Sequence, residues 1–223
     1  MAIPVLVMGR SGSGKTYSIK NFSPDEVGVI SVEKGRLPFK SDIKVVRIPD
    51  SLDAEAQSYA QLNAARYGWI QMVIMTSKVK ALVIDDSQYL LVNELFDRAK
   101  EKGYDKYIDM AANFRELVHF INRLPEDDKI VYFLHHTETD MNGREKAKTI
   151  GKMLDEKLVL EGCFDIVLYC EDQKFYTQGN GQSSAKTPEG MFDATEIPND
   201  LKAVDTAIRT YWNLGPAPKK GGK

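Results

Sequence analysis

Residues 3–16 read IPVLVMGRSGSGKT, an apolar run followed at once by the pattern G-x-x-x-x-G-K-T. The apolar residues predict a buried strand, and a helix is expected to begin at Lys15, so the glycine-rich segment joins a strand to a helix. In that setting glycines let consecutive backbone N–H groups point at phosphate oxygens, and the helix N-terminus adds its positive end. The sequence therefore predicts a phosphate-binding loop for a nucleoside triphosphate. Its eight residues are Gly9, Arg10, Ser11, Gly12, Ser13, Gly14, Lys15 and Thr16.

The end of this loop predicts the cofactors, ATP and Mg²⁺. Lys15 can reach the β- and γ-phosphates as a point charge, and the hydroxyl of Thr16 is placed to bind the metal. A second apolar run, Ala81-Leu82-Val83-Ile84, ends in Asp85 and Asp86. A carboxylate at the tip of a buried strand can hold Mg²⁺ through its water shell, so Asp85 is the expected metal-side residue.

Hydrolysis also needs a group that orients or deprotonates water, and the sequence offers two acids for this role. Asp86 is adjacent to the metal-side residue, whereas Glu33 ends the strand predicted over residues 27–32. A third strand, predicted over residues 130–134, ends in His135 and His136, where one side chain could sense the γ-phosphate. Because side chains alternate across a strand, only one of the two histidines can face the nucleotide.

Composition excludes several classes of protein. The 223-residue chain has a formal charge of −2, so no global basic field indicates nucleic acid, and any such contact must be a local patch. Cys163 and Cys170 lack metal-ligand spacing and are expected to be small buried side chains. No apolar run reaches membrane-spanning length, so we expect no membrane partner. Because a strand is predicted to begin at Ile3, we expect no signal peptide and a cytoplasmic location.

Predicted strands alternate with predicted helices, which favours an α/β fold with a mostly parallel sheet, helices on both faces and a C-terminal hairpin near residues 165–178. We expect one domain over residues 1–214 and a disordered basic tail over 215–223. Asp50 or Ser51 is expected to cap one long helix, and Asp200 to cap the last helix. Residues 137–151 show no sustained apolar pattern and predict a mobile loop.

These motifs resemble those of the RecA-like core ATPases, and most closely the short phage-encoded members of the single-strand annealing or recombination group. The resemblance covers nearly the whole chain. It implies that Glu33 in VISVEKG is the catalytic glutamate, that Asp85 in ALVIDD is the metal-side acid, and that His136 in YFLHHT is the γ-phosphate sensor, with His135 as second choice. It further implies a lysine that enters the ATP site of a neighbouring subunit, for which Lys186 is the candidate.

The resemblance also implies partners and a process. Residues 100–109 and 137–151 would be two loops that bind single-stranded DNA, and ATP would lie at the interface of a homo-oligomer. The implied function is ATP-dependent annealing or strand exchange in phage recombination, in the host cytoplasm, alongside a phage single-strand binding protein. Two alternatives remain: a small-molecule (nucleotide) kinase, which needs an arginine-rich lid, and an AAA-type loader or motor, which predicts an all-helical lid after the core.

Overall fold

The computed structural model describes residues 1–33, 35–155, 158–179 and 181–215. The strands are β1 (Ile3–Gly9), β2 (Val27–Ser31), β3 (Lys44–Arg47), β4 (Ala81–Asp85), β5 (Ile130–Thr139), β6 (Glu145–Ala147), β7 (Ile166–Glu171), β8 (Lys174–Tyr176) and β9 (Glu196–Pro198). The α-helices are α1 (Ser51–Glu55), α2 (Tyr59–Thr76), α3 (Gln88–Asp97), α4 (Asp105–Asn122), α5 (Lys152–Asp155) and α6 (Leu201–Tyr211). Two 3₁₀ helices cover Thr16–Asn21 and Leu160–Cys163.

Across the described residues the strands form one sheet in the order β3-β2-β4-β5-β1-β7-β8-β9, with β6 paired to β5 beyond the main path. The first six strands in this order are parallel, and β8 and β9 add antiparallel pairs at one side. The predicted α/β fold with a mostly parallel sheet and a C-terminal hairpin is therefore confirmed. Parallel strands bring their carboxyl ends to one edge, where ligands of such sheets bind.

Helices cover both faces of the sheet. The apolar residues of α2, α3 and α4 pack on one face, for example Ile70, Leu91 and Phe114. Those of the first 3₁₀ helix and α6, such as Ile19 and Ile208, pack on the other. The central strands are buried on both sides, which explains why their sequences are continuous apolar runs. No helix in the described part of the chain is long and apolar enough to span a membrane.

The helices differ from the sequence prediction in two places. The expected long helix from Asp50 or Ser51 is two helices, and the longer one is capped by Ser58, whose side chain accepts from the backbone N–H of Gln61. Asp50 precedes the short α1 but accepts no capping hydrogen bond. The helix after the phosphate-binding loop is a short 3₁₀ segment, not an α-helix.

The expected loop over residues 137–151 is instead largely a β-hairpin. Strand β5 runs on to Thr139 and pairs with β6, so that Glu138 lies opposite Lys146. We call residues 137–147 the hairpin. Strand β9 was not predicted, since its three residues carry no alternating pattern. Asn180 of the predicted turn 179–181 and residues 216–223 of the predicted tail lie outside the described residues.

Candidate nucleotide site

The phosphate-binding loop begins at the end of β1, which lies between β5 and β7 in the sheet. Gly12 and Gly14 have φ angles of 80° and 109°, in the left-handed region where glycine is favoured. Gly9 is required for a different reason: a Cβ there would lie 2.4 Å from the backbone oxygen of Cys170 on β7. The glycine pattern that defined the motif thus has two causes, loop conformation and close backbone packing.

A cavity of about 590 Å³ opens over this loop, within the size range of small-ligand sites. We call it the nucleotide cavity. Its lining includes the loop, the acids that end β4, one histidine of β5 and residues from two other segments. These are Ser11, Gly12, Gly14, Lys15, Thr16, Tyr17, Arg36, Pro38, Asp85, Asp86, His136 and Gln173.

The lysine, threonine and metal-side acid meet as the motif predicts. Lys15 is 6% exposed, and its Nζ donates to the backbone oxygens of Gly9 at 2.8 Å and Arg10 at 2.9 Å. Thr16 Oγ1 donates to Asp85 Oδ1 at 2.9 Å, although 69 residues separate them. Burial, and then the charge of Asp86, raise the pKa of Asp85. A cation at this carboxylate would relieve both effects.

These residues fit ATP and Mg²⁺. Ser13 Oγ is buried and has no hydrogen-bond partner among the described residues, as expected of a loop that receives phosphate oxygens. No group of three or more His, Cys, Asp or Glu side chains in the described residues could hold a metal by itself. Thr16 and Asp85 would therefore hold Mg²⁺ together with phosphate oxygens and water, which is the coordination Mg²⁺ prefers.

The two candidate bases occupy different places. Asp86 lines the nucleotide cavity in a left-handed conformation, with φ 60°, and its Oδ1 lies 3.2 Å from His136 Nε2. Glu33 is exposed and lies outside the lining of that cavity, and its Oε1 accepts from Asn93 Nδ2 of α3 at 2.7 Å. Asp86 therefore faces the nucleotide cavity, whereas Glu33 is bound to Asn93 outside its lining.

The two histidines have opposite environments, as alternation along β5 requires. His136 lines the nucleotide cavity. His135 is fully buried, with Nδ1 3.0 Å from Ser87 Oγ and Nε2 2.8 Å from the backbone oxygen of Lys148. Burial lowers the pKa of His135 to about 4, so this ring is neutral at physiological pH. His136, the first choice for the sensor, is thus the one that faces the site.

Arg10 joins the phosphate-binding loop to the hairpin. Its guanidinium donates to Glu145 Oε1 at 2.5 Å and to Thr139 Oγ1 at 2.9 Å. The Arg10 hydrogen bond is the main cause that lowers the pKa of Glu145 to about 2. A groove of about 520 Å³ runs beside this contact and shares Ser11 and His136 with the nucleotide cavity. We call it the adjoining groove.

The predicted DNA loops retain only part of their positive charge for a ligand. In the hairpin, Lys146 is paired with Glu138 and Asp155, whereas Arg144 is exposed. Lys148, directly after the hairpin, is exposed as well. Residues 100–109 are partly helical because α4 begins at Asp105. Lys106 in that segment is buried and donates to the backbone oxygens of Arg98 and Glu101, so it stabilises the α3–α4 corner.

Lys186 lies apart from the nucleotide cavity of its own chain. Its backbone pairs with Val167 near the start of β7, and its side chain is exposed. The predicted contact of Lys186 with a neighbouring subunit's ATP stays a prediction. Sequence reasoning missed four lining residues, Tyr17, Arg36, Pro38 and Gln173. Only Tyr17 carried a signal, its position directly after the motif, because the other three reach the cavity from distant segments.

A family model described as an AAA domain matches residues 1–194. Among solved structures, a KaiC-like protein from the hyperthermophilic archaeon Pyrococcus horikoshii superimposes with a TM-score of 0.50 at 13% identity. The match covers 88% of this chain and 84% of that chain. At this identity the likeness concerns the fold alone, and it agrees with the RecA-like core expected from the sequence. No curated protein sequence matches the chain. The chain belongs to the AAA domain family, with the P-loop ATPase core of a RecA-like fold.

Proposed function

We propose that the protein hydrolyses ATP with Mg²⁺, binds single-stranded DNA, and uses ATP to control annealing or strand exchange in phage recombination. The observation that carries the proposal is the contact of Arg10 with Glu145 and Thr139, which ties the phosphate-binding loop directly to the hairpin. A second contact joins Asp86 to His136, which lies on β5, the strand that also carries Thr139. Both ties connect the phosphate end of the site to the segment proposed to bind DNA.

The chemistry of the site follows from its charges. Bound Mg²⁺ would neutralise phosphate charge next to Thr16 and Asp85. Lys15, now donating to the loop's own carbonyls, has its ammonium available to the phosphates once they enter. Asp86 lines the nucleotide cavity and would accept the proton of an attacking water. Glu33 could do so only after leaving Asn93. His136 holds Asp86 in position and is the proposed γ-phosphate sensor.

Nucleotide binding would change the hairpin through Arg10. When Lys15 leaves the carbonyl of Arg10 for a phosphate, the backbone at Arg10 loses a hydrogen bond and can shift. The side chain of Glu145 is buried and one of its oxygens, Oε2, has no partner in the described residues, so it depends strongly on Arg10. The hairpin would therefore respond to the state of the loop, which is the coupling expected of an ATP-driven switch.

DNA would contact the hairpin and the α3–α4 corner. Arg144 on the hairpin and Lys148 directly after it offer exposed charge. Lys100 and Lys102 offer it beside the exposed ring of Tyr104. Charges bind the phosphates and an aromatic ring can stack on a base, which suits single strands. Because these cations are few, we expect moderate affinity that weakens with salt. A phage single-strand binding protein is the proposed partner in the cell.

Homo-oligomerisation would complete the site. Lys186 is exposed and remote from the nucleotide cavity of its own chain, so we propose that it enters the site of a neighbouring subunit. The adjoining groove gives it a route to the γ-phosphate side, since that groove shares Ser11 and His136 with the nucleotide cavity. ATP would then lie between subunits, and hydrolysis would depend on assembly.

The deciding experiment measures ATP turnover with and without single-stranded DNA. The wild type is expected to be stimulated by DNA, and Lys15→Ala to lose turnover in both conditions. Lys186→Ala should lose DNA-stimulated turnover, whereas Lys78→Ala, an exposed lysine outside both cavities, should not. Turnover that ignores DNA and survives Lys186→Ala would contradict both the recombination proposal and the interface site.

Two variants separate the candidate bases. Asp86→Asn and Glu33→Gln each remove one carboxylate while keeping the side chain's size. Loss of turnover in Asp86→Asn alone would assign the base to β4, and loss in Glu33→Gln alone would assign it to the end of β2. Nucleotide affinity, measured in parallel, should change little in the variant that lacks the base, because the base acts on water and not on the nucleotide.

A nucleotide kinase is the second candidate, because the adjoining groove could hold a phosphoryl acceptor next to the phosphates. It predicts phosphorylation of a nucleoside monophosphate without DNA. An arginine-rich lid is lacking in the described hairpin, where Arg144 is the one arginine.

The AAA-type loader or motor predicts a helical lid, but described residues 166–215 contain three strands and one helix. DNA-stimulated turnover without annealing would favour it.

A further inference from the structure

The turn between β7 and β8 has a backbone conformation that its residues disfavour. Glu171 pairs with Lys174 across it, so the loop of this hairpin has two residues, Asp172 and Gln173. Their φ angles are 48° and 59°, as in a type I′ turn, whose second position strongly prefers glycine. Aspartate adopts the left-handed conformation more readily than glutamine does, so most of the strain lies at Gln173. Strain of this kind persists where the surrounding structure requires the residue, which is often at a functional site.

Gln173 contacts the phosphate-binding loop through both its backbone and its side chain. Its backbone N–H donates to the carbonyl oxygen of Ser13 at 3.3 Å. Its side-chain amide lies against Gly14, where a Cβ would be 2.8 Å from both Nε2 and Oε1. Gln173 also lines the nucleotide cavity. The strained residue is therefore in direct contact with the loop that is expected to bind phosphate.

Asn199, between β9 and α6, holds the same part of the loop. Its Nδ2 donates to the carbonyl oxygen of Gly14 at 3.0 Å and to Gln173 Oε1 at 3.3 Å. Its Oδ1 lies 3.7 Å from Cys170 Sγ. Burial raises the pKa of Cys170 to about 11, so the thiol keeps its proton and can donate to this oxygen. The amide of Asn199 is thereby oriented with its donor towards the loop. We call Gln173 and Asn199 the amide pair.

The amide pair determines which way the peptide groups of the loop point. In a planar trans peptide the C=O and N–H bonds point in opposite directions. The carbonyl groups of Ser13 and Gly14 point towards the amide pair, so the N–H groups of Gly14 and Lys15 point away from it. Backbone N–H groups of such a loop are the ones that receive phosphate oxygens. Holding the carbonyl groups in advance lowers the ordering cost of binding.

We propose that Gln173 and Asn199 are positioning residues for nucleotide binding, which hold the phosphate-binding loop in the conformation that receives phosphates. Glycine at position 173 would relieve the turn but would leave no side chain against Gly14, which explains why the strained residue is kept. This role rests on the proposed nucleotide binding, and it depends neither on DNA nor on a second subunit. Since the amide pair acts through the loop, it affects the phosphates and not the base or the ribose.

The first test is calorimetric titration with ADP and with inorganic tripolyphosphate, both in the presence of Mg²⁺. Wild type should bind both ligands. Asn199→Ala should weaken both by the same factor, about three- to tenfold, the effect of one lost hydrogen bond. The effect is limited because the carbonyl oxygen of Gly14 keeps the N–H of Ser18 as its other donor. Asn21→Ala is the matched control, since its amide donates to Asp200, and should bind as wild type does.

Two outcomes of this titration would overturn the role of Asn199. Wild-type affinity in Asn199→Ala would show that the loop does not depend on its amide. A loss confined to ADP would show that the residue contacts the base or the ribose, because tripolyphosphate lacks both, and that it does not position the loop.

The second test separates a role in binding from a role in folding. Gln173→Gly removes the backbone strain, so its unfolding temperature should rise by about 2–4 °C. Its affinity for ADP and tripolyphosphate should nevertheless fall about three- to tenfold, because the side chain against the loop is lost. Asp172→Gly is the matched control: it relaxes the same turn, its side chain lies outside the lining of the nucleotide cavity, and it should keep wild-type affinity. Unchanged affinity in Gln173→Gly, whether its unfolding temperature rises or falls, would overturn the role of Gln173.

The wild-type titration distinguishes a failure of the positioning role from a failure of the proposed function. Wild type that binds neither ADP nor tripolyphosphate would contradict nucleotide binding itself, and the positioning role with it. Wild type that binds both, with Asn199→Ala and Gln173→Gly unchanged, would refute the positioning role alone. DNA and ATP turnover do not enter these measurements, so their outcome is separate from that of the recombination proposal.

Discussion

Adding one methyl group at Gly9 is expected to damage both the fold and the nucleotide site. In Gly9→Ala the new Cβ would lie 2.4 Å from the backbone oxygen of Cys170 and 2.7 Å from Ser13 Oγ. The first contact cannot be relieved by a side-chain rotation, because β1 and β7 are paired up to Met8 and Tyr169, directly before it. The strands must separate, or the loop must shift.

The size of the effect follows from overpacking. Forcing an extra methyl into a packed interior costs about 1–3 kcal/mol, and more where backbone must move. For a chain of this length each kcal/mol lowers the unfolding temperature by about 2–4 °C, so Gly9→Ala should lose roughly 2–12 °C. Affinity for ATP should fall as well, because Ser13 and the loop carbonyl at Gly9 are displaced.

Thermal unfolding by circular dichroism and calorimetric ATP titration measure the two effects. Two other glycines provide controls. Gly12→Ala meets no atom within 4 Å but has φ 80°, so it should cost about 1–2 kcal/mol from backbone strain alone. Gly68→Ala, exposed within α2 and free of contacts, should stabilise by about 1 kcal/mol. The reasoning is refuted if Gly9→Ala unfolds and binds ATP as wild type does.

Three further outcomes are expected. Burial holds the pKa of His135 at about 4, below the unfolded 6.5, so unfolding free energy should fall by about 1.4 kcal/mol per pH unit from about pH 6.5 towards 4. Urea titrations at several pH values measure this slope, which His135→Gln should remove. Ser58→Ala should lower the free energy of unfolding by about 1 kcal/mol, and Asp50→Ala should lower it by much less, because only the serine side chain caps its helix. Thermal unfolding of both variants measures the difference, and equal losses would contradict the assignment of the cap. Arg209→Met leaves the buried carboxylate of Asp205 without its cation, so it should lower the free energy of unfolding by about 3–5 kcal/mol. Denaturant unfolding measures this loss, and a variant as stable as the wild type would show that the ion pair is dispensable.

The fold could be predicted well where a pattern has one physical solution. Continuous apolar runs are strands buried on both faces, so β1, β4 and the start of β5 were found from sequence. The hairpin was missed because its paired segments, residues 137–139 and 145–147, are short and mostly polar. The split between α1 and α2 was missed because Asp50 and Ser58 are both acceptable caps, and only the observed backbone shows which one accepts.

The sequence by itself determined that a nucleoside triphosphate loop follows the first strand and that Asp85 ends a neighbouring strand, because spacing and apolar patterning act locally along the chain. Tertiary structure decided which polar groups share a cavity. It placed Asp86 and His136 in the lining of the nucleotide cavity, turned His135 into the interior, and bound Glu33 to Asn93. Those contacts join residues about 50 or more positions apart, and their geometry depends on sheet order and on the face each side chain takes.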